Sequence, residues 1–166
     1  MRKIKGFTLA EMVAVIAILM FLAALSTPFV MGYIDDAYNG KALIYLRELY
    51  EASLNFEKDY PGTTISDVGS DISSCDVDAI YNAGSLKPSI LEVCNYLRPL
   101  PGDLEPRYTF RIGKDVECDI SECKEARASM FGEQKAGIYK NKCACVNSLG
   151  QVCKQNSDEE QSSTCL

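Results

Sequence analysis

Histidine is absent from this chain of 166 residues. Without histidine, the chain lacks the commonest general base, the Ser/His/Asp and Cys/His catalytic arrangements, and every metal site that uses an imidazole ligand. This absence excludes most classes of enzyme. The sequence predicts a protein that is not an enzyme and that holds no metal and no other cofactor.

Positive charge is scarce. The chain has 17 basic and 23 acidic residues, with a formal net charge of −6 at pH 7. Three of the basic residues, Arg2, Lys3 and Lys5, lie in the first five positions, and without them the charge is −9. An acidic protein with no basic stripe is not expected to bind nucleic acid directly.

Cysteine is absent from residues 1–74, and all eight cysteines lie at or after Cys75. The longest apolar run has the opposite bias, because Met12 to Leu25 are 14 consecutive apolar residues. The chain after Tyr60 is rich in Asp, Ser, Gly, Pro and Cys. The length allows one domain, or one domain plus an anchor, and this asymmetry favours the second.

The apolar run predicts a membrane-spanning helix. Phe7 to Met31 would be roughly 37 Å long as a helix. That length crosses a hydrocarbon core of about 30 Å. Because basic residues precede the run and none lies within it, the N-terminus is expected in the cytoplasm and the rest of the chain outside the inner membrane.

Glu11 is unusual in such a span. An ionised, unpaired carboxylate at this place costs several kcal/mol. A cut between Gly6 and Phe7 would create an α-ammonium on Phe7, about one helical turn from Glu11. That ammonium could pair with Glu11 of the same helix or with Glu11 of a neighbouring copy. The second pairing would fix the axial register of an assembly.

These residues resemble the type IV prepilin signature: a basic leader, Gly6, Phe7-Thr8-Leu9, Glu11 as the fifth residue of the cut chain, and an apolar helix. The resemblance implies that a prepilin peptidase cuts after Gly6 and that Phe7 is N-methylated. It implies that Glu11 neutralises the N-terminal amine of a neighbour during assembly. Pro28 falls where many members have a helix-kinking proline. Ala10 departs from the pattern, since a larger aliphatic residue is commoner before the Glu.

The function implied by this resemblance is a structural subunit of a type IV pilus-like filament. Such a subunit is anchored in the inner membrane and then extracted into a cell-surface or periplasmic filament. The implied partners are the prepilin peptidase, other pilin subunits, an inner-membrane assembly platform and the lipid bilayer. A pseudopilin of a type II secretion system shares the same N-terminal features and is the alternative within the family. The Cys-rich head favours a pilus, because an external filament benefits from covalent bracing.

A different class of protein also fits part of the pattern. An ordinary signal peptide could be cut after Ala24-Leu25-Ser26, which would release a soluble, disulfide-rich binding domain that begins at Thr27. Glu11 inside the apolar core and Pro28 just beyond the new terminus argue against this alternative. An uncleaved single-span anchor would leave Glu11 without a role.

The helix is expected to continue beyond the membrane. Pro28 should bend or loosen it without ending it. Beyond Gly32, apolar residues recur at helical spacing and form one stripe, predicted to be core: Leu43, Leu46, Tyr50 and Leu54. The pattern stops at Asp59-Tyr60-Pro61-Gly62. The predicted helix therefore runs from near Phe7 to near Tyr60 and is about 80 Å long.

The rest of the chain predicts a small sheet. Residues 61–106 are interrupted by Gly and Pro and are expected to form a loop-rich connector with short helices at 76–81 and 89–97. Strands are predicted at 107–112, 137–140 and 143–146, with a turn at 147–150.

The predicted fold class is α+β: a long N-terminal helix, half membrane-spanning and half amphipathic, packed against a small antiparallel sheet, with a disulfide-braced C-terminal region. In this organisation, residues 1–6 are a cleaved leader, 7–31 a transmembrane and filament-core helix, and 32–166 a periplasmic or extracellular head.

An even number of cysteines on the non-cytoplasmic side predicts disulfides, each worth about 2–4 kcal/mol. The candidates are Cys75, Cys94, Cys118, Cys123, Cys143, Cys145, Cys153 and Cys165. Cys143 and Cys145 lie on one face of a predicted strand, so they are expected to bond to other partners, with Cys118 and Cys123 as candidates. Cys165 is expected to tie down the C-terminal tail.

The sequence contains one candidate zinc site and two candidate calcium sites, and each has a simpler interpretation. A zinc site of Cys118, Cys123, Cys143 and Cys145 is disfavoured by its spacing and by an oxidising compartment. Two groups of acidic residues could suggest calcium, at 67–78 and at 115–119, but neither has the loop that calcium sites use. Both groups are predicted to be solvated surface.

Overall fold

The computed structural model describes residues 7–112, 123, 126–132, 143–147, 149–155 and 163–165. One helix, α1, spans Leu9–Asp59 and has 51 residues. It begins after the N-cap Thr8 and ends where the N–H of Tyr60 donates to the carbonyl of Phe56 at 2.9 Å. The predicted long helix is therefore confirmed. It continues through Pro28, and the bend at that residue stays a prediction.

The predicted stripe lies at one edge of the core face of α1: Leu46 is buried, and Leu43 and Tyr50 are partly buried and pack against the core. The buried residues of the second half of α1 are Ala42, Tyr45, Leu46, Leu49, Ala52, Ser53 and Phe56. Of the predicted stripe only Leu46 is fully buried, and Leu54 is 37% exposed. The centre of the buried face is turned by about 100° from the leucine stripe. Small residues at positions 42, 52 and 53 explain the difference, because they let the rest of the head approach the helix closely.

A five-stranded antiparallel sheet covers this face, as predicted. Its strands lie side by side in chain order: β3 (Tyr108–Ile112), β4 (Ala128–Gly132), β5 (Cys143–Val146), β6 (Val152–Gln155) and β7 (Ser163–Cys165). The predicted strands at 107–112 and 143–146 and the turn that follows β5 are confirmed. The predicted strand at 137–140 lies outside the described residues. Tyr108 and Ile112, at alternating positions of β3, are buried.

The connector is more ordered than predicted. It contains a parallel pair of strands, β1 (Thr64–Ser70) and β2 (Ser85–Leu86), which the sequence analysis missed. The two predicted helices are present as α2 (Val77–Ala83) and a shorter α3 (Ser89–Val93). Asp67 of β1 accepts a hydrogen bond from the N–H of Ile112 at 3.2 Å, so β1 docks beside the edge strand β3.

Gly69 marks the closest approach between β1 and β2. A Cβ atom on Gly69 would lie 2.4 Å from the carbonyl carbon of Leu86, which is backbone and cannot turn away. We expect Gly69→Ala to destabilise the head by about 1–3 kcal/mol, as overpacking does. A Cβ on Gly102 would meet nothing within 4 Å, so Gly102→Ala is the matched control. Thermal unfolding of the detergent-solubilised full chain tests this prediction, and equal midpoints for the two variants would contradict it.

Disulfides brace both parts of the head. Cys75 bonds to Cys94, and Cys123 bonds to Cys145. Cys143 and Cys153 are also disulfide-bonded, and no cysteine in the described parts of the chain is free. As predicted, Cys143 and Cys145 are not bonded to each other. These bonds rule out the zinc site, because disulfide sulfurs are not available as thiolate ligands.

The disulfide-rich cluster lies on the face of the sheet away from α1. It comprises Cys123, Ala126, Cys143, Cys145 and Cys153. Ala144 and Val146, which alternate with the cysteines along β5, belong to the core on the α1 side. The sheet is thus buried on two faces, by the helix on one and by cysteines on the other.

Candidate functional site

The first half of α1 is an uncovered apolar surface. Within the described residues, α1 is the one helix long and apolar enough to cross a membrane, and none of its most apolar window is buried. Its large side chains are exposed from Leu9 through Phe21 and Phe29 to Ile34. Length and apolarity also fit a signal sequence. An apolar surface of this size requires a cover of lipid or protein.

Thr8 and Glu11 form a capping box at the start of this surface. The Glu11 Oε2 atom accepts hydrogen bonds from the Thr8 backbone N–H at 2.7 Å and from the Thr8 hydroxyl at 2.9 Å. The Glu11 N–H donates to Thr8 Oγ1 at 3.3 Å. The carboxylate is therefore turned back toward the helix N-terminus, where the free N–H groups and the helix dipole stabilise it.

The predicted processing residues lie around this capping box. Phe7 directly precedes Thr8, outside the helix, and its side chain is 81% exposed. Gly6 lies outside the described residues. The structure brings the Glu11 carboxylate to Thr8, next to Phe7 in the chain. An α-ammonium on Phe7 would arise only after cleavage, so its pairing with Glu11 stays a prediction.

Thr8 is the residue that the sequence analysis missed. Its signal was present, since Thr8-Leu9-Ala10-Glu11 has the Thr-x-x-Glu spacing of a capping box just before an apolar run. The structure adds that this carboxylate has a partner within its own helix.

Two further polar residues of the apolar half are satisfied locally. The hydroxyl groups of Ser26 and Thr27 both donate to the Ala23 carbonyl at 3.0 Å. Such hydrogen bonds let hydroxyl side chains lie in a helix without a polar partner elsewhere. The surface therefore stays compatible with an apolar environment up to Pro28.

The head is joined to the second half of α1 by charged contacts on the helix flanks. They are Lys41–Asp103 at 2.9 Å, Glu48–Arg98 at 2.8 Å, Asp35–Arg107 at 3.7 Å and Glu57–Arg127. Pairs as exposed as these contribute about 0–1 kcal/mol each. Near the helix end, Tyr96 donates to Asp59 at 2.6 Å, and this hydrogen bond raises the pKa of Tyr96 to about 12. These contacts orient the head on residues 35–59 and leave the first half bare.

An apolar groove of about 280 Å³ opens between α1, α3 and β3. Most of its lining is apolar: Tyr45, Leu49, Pro88, Leu97, Leu100 and Phe110, with Ser89 and Glu92 also lining it. The Tyr45 ring meets the Phe110 ring edge-on at 4.9 Å, and its hydroxyl donates to the Arg98 carbonyl at 3.4 Å. Burial raises the pKa of Tyr45 to about 12, so the groove stays uncharged at this position.

The acidic residues of the connector do not converge. Asp67 binds the Ile112 N–H, Asp71 accepts from Ser89 at 3.2 Å, and Asp76 caps α2 through the Ala79 N–H at 3.0 Å. No group of three metal-ligating side chains occurs among the residues that the structure places. The second acidic group, at 115–119, lies outside them.

Comparison with known proteins supports the interpretation of the N-terminus. Residues 1–27 match the prokaryotic N-terminal methylation motif, which is the type IV pilin and prepilin signature. This motif covers 27 of the 166 residues and supports a type IV pilin-like or pseudopilin subunit. Neither the curated proteins nor the solved structures gave a match.

Proposed function

We propose that this chain is a structural subunit of a type IV pilus-like filament. The observation that carries the proposal is the methylation motif, which leads directly into a helix whose first half is apolar and uncovered. In the inner membrane, lipid covers this half of α1. In the filament, the same surface packs against the α1 helices of other copies. The subunit has no catalytic role in this process.

Glu11 directs the assembly in this proposal. In the single subunit its carboxylate is satisfied by Thr8, through two hydrogen bonds. The methylated α-ammonium of Phe7 on a neighbouring copy offers a full opposite charge, and charge-assisted hydrogen bonds are the stronger kind. In an apolar bundle this exchange of partners is favourable at one axial offset only, so it fixes the register between neighbours.

The braced head favours a pilus over a type II secretion pseudopilin. Cys123, Cys143, Cys145 and Cys153 are all buried and disulfide-bonded, on the side of the sheet that faces away from the helix. Such bracing suits a filament exposed to the oxidising outside of the cell.

The predicted acidic head is not expected to bind DNA directly. A subunit recovered from surface-sheared filaments would support the pilus, and one confined to the periplasm would support the pseudopilin.

The intact mass of the protein tests this proposal. We expect the membrane fraction and the sheared-surface fraction to contain a chain that begins at Phe7 and carries one added methyl group. Its mass should rise on reduction by the hydrogens that each disulfide takes up. A chain that begins at Thr27 would contradict the proposal and identify a soluble secreted domain.

A further inference from the structure

Helix α1 begins two residues after the bond that the proposed peptidase cuts. Leu9 is its first residue, Thr8 is its N-cap, and Phe7 precedes the cap. The backbone of Thr8 is extended, with φ −81° and ψ 153°. The Thr8 carbonyl accepts a hydrogen bond from the Met12 N–H at 3.3 Å, as an N-cap carbonyl does. The peptide bond on the N-terminal side of Phe7 therefore precedes the helix in the chain.

The Thr8 hydroxyl fixes this starting point. The Glu11 N–H donates to Thr8 Oγ1 at 3.3 Å. In a helix that began one residue earlier, the same N–H would donate to the carbonyl of Phe7, which lies four residues before it. The hydroxyl takes the place of that carbonyl, and in this way an N-cap side chain sets where a helix begins.

The apolar half of α1 offers no substitute for this cap. Residues 9–25 contain no Ser, Thr, Asp, Asn or Gly, which are the residue types that cap helices well. A later start would also leave backbone N–H groups unpaired in an apolar environment. The nearest alternative lies upstream, because glycine caps about as well as threonine and much better than alanine, valine or leucine. Without the Thr8 hydroxyl, the helix is therefore expected to begin at Phe7, with Gly6 as its cap.

That earlier start would engage the carbonyl that is attacked during cleavage. An N-cap carbonyl accepts the first hydrogen bond of its helix, so the Gly6 carbonyl would accept the Ala10 N–H. Hydrolysis adds water across the Gly6–Phe7 bond: the C–N bond breaks, and the products are the Gly6 carboxylate and the Phe7 α-ammonium. Negative charge develops on the carbonyl oxygen, and donors of the peptidase must stabilise it. A carbonyl that is already bonded inside the substrate helix is poorly placed to meet those donors.

We propose, on the basis of the proposed function, that Thr8 is a positioning residue for cleavage by the prepilin peptidase. By capping α1, Thr8 holds the helix start at Leu9 and leaves the Gly6–Phe7 bond in non-helical chain that the peptidase can bind. The cap uses the backbone N–H of Glu11, which any residue at that position provides. The Thr8 side chain therefore serves processing, and the Glu11 side chain serves assembly.

Cleavage kinetics of the full precursor, in membrane vesicles that contain the prepilin peptidase, test this role. Thr8→Val keeps the shape of threonine without its hydroxyl, and we expect its kcat/KM to fall about fivefold or more. The loss should appear as a higher KM with kcat unchanged, since a smaller fraction of the chain has the start that the peptidase can bind. Thr8→Asn is the matched control. Because asparagine caps at least as well as threonine, we expect wild-type kinetics from it.

The outcomes separate this role from the proposed function. If Thr8→Asn is cut as slowly as Thr8→Val, the peptidase reads the threonine side chain directly, and the inference is overturned. Wild-type kinetics from Thr8→Val would overturn it as well. Both results leave the proposed filament subunit intact, because the wild-type chain is still cut before Phe7. If the wild-type chain is not cut there, the proposed function fails and the inference fails with it.

The Cα chemical shift of Phe7 covers the case in which a variant enters the vesicles poorly. It is measured on the full precursor in detergent micelles. We expect the value of extended backbone in the wild type and in Thr8→Asn, and a helical value in Thr8→Val. An extended value in Thr8→Val would overturn the expected shift of the helix start, whatever the cleavage rate.

Discussion

Glu11→Ala is expected to abolish filaments while the subunit remains processed, folded and membrane-bound. In the proposed assembly, this substitution leaves the Phe7 ammonium of each neighbour unpaired in an apolar bundle. Breaking a buried charge pair in this way costs about 3–5 kcal/mol. Per contact, that is a factor of about one hundred to several thousand in affinity. In the part of the head that the structure describes, packing is on residues beyond position 34, and no contact there involves Glu11. Immunoblots of the sheared and membrane fractions measure the loss of filaments and the retention of the subunit in the membrane. The intact mass of the membrane form measures its processing.

Two conservative variants separate the charge of Glu11 from its capping role. Glu11→Gln keeps the size of the side chain and an oxygen that can accept from Thr8, but it cannot neutralise an ammonium. We expect it to fail in assembly like Glu11→Ala. Thr8→Val keeps the carboxylate and removes the hydroxyl cap, which costs about 1 kcal/mol of helix stability. We expect it to assemble at reduced yield. Filaments at normal yield from Glu11→Ala would refute the role given to this carboxylate.

Removal of the Cys123–Cys145 disulfide is expected to cost the head more than removal of the Cys75–Cys94 disulfide. The two bonds close loops of similar length, with sequence separations of 22 and 19 residues. Loop-closure entropy therefore predicts nearly equal losses, about 3 kcal/mol for each. Cys123 and Cys145 are both 0% exposed, whereas Cys75 is exposed. The buried pair also fills space on the face of the sheet away from α1, so its loss leaves a cavity that lowers stability further.

The matched double variants are Cys123→Ala with Cys145→Ala, and Cys75→Ala with Cys94→Ala. Alanine avoids placing a hydroxyl group in an apolar site. Thermal unfolding under non-oxidising handling should give a lower midpoint for the first pair than for the second. If the second double variant has the lower midpoint, the disulfide on the face of the sheet away from α1 is not what stabilises the head.

The ends of α1 could be predicted because their signals are local. The apolar segment starts at Phe7, and Pro61-Gly62 cannot continue a helix. The face of α1 that carries the core could not be predicted in the same way. Leucines were the strongest apolar signal, but Ala42 and Ala52 are buried because the sheet approaches the helix there. This approach depends on strands about fifty to a hundred residues later in the chain, which no short window contains.

The β1–β2 pair was missed for a related reason. β1 has the sequence TISDVGS, in which only Ile65 is buried, so it lacks the alternation of a half-buried strand. Its partner β2 has two residues and pairs in parallel, with an irregular register between Ile65 and Ser70. The groove depends on the same tertiary contacts, since Tyr45, Leu97 and Phe110 meet only after the connector has folded. The motif at residues 1–27 was predictable, and the surfaces of the head were not.

The bare half of α1 has a consequence for how a filament starts. From Leu9 to Ile34 it is a cylinder about 39 Å long and about 10 Å wide, with apolar side chains all around it. A second helix laid alongside covers one side of that cylinder, and the remaining sides still need lipid. The first few subunits therefore gain little by leaving the membrane, while a subunit that joins an existing bundle is surrounded at once. Growth of the proposed filament is then a nucleated process with a threshold subunit density, and its terminal subunits are the first to be lost.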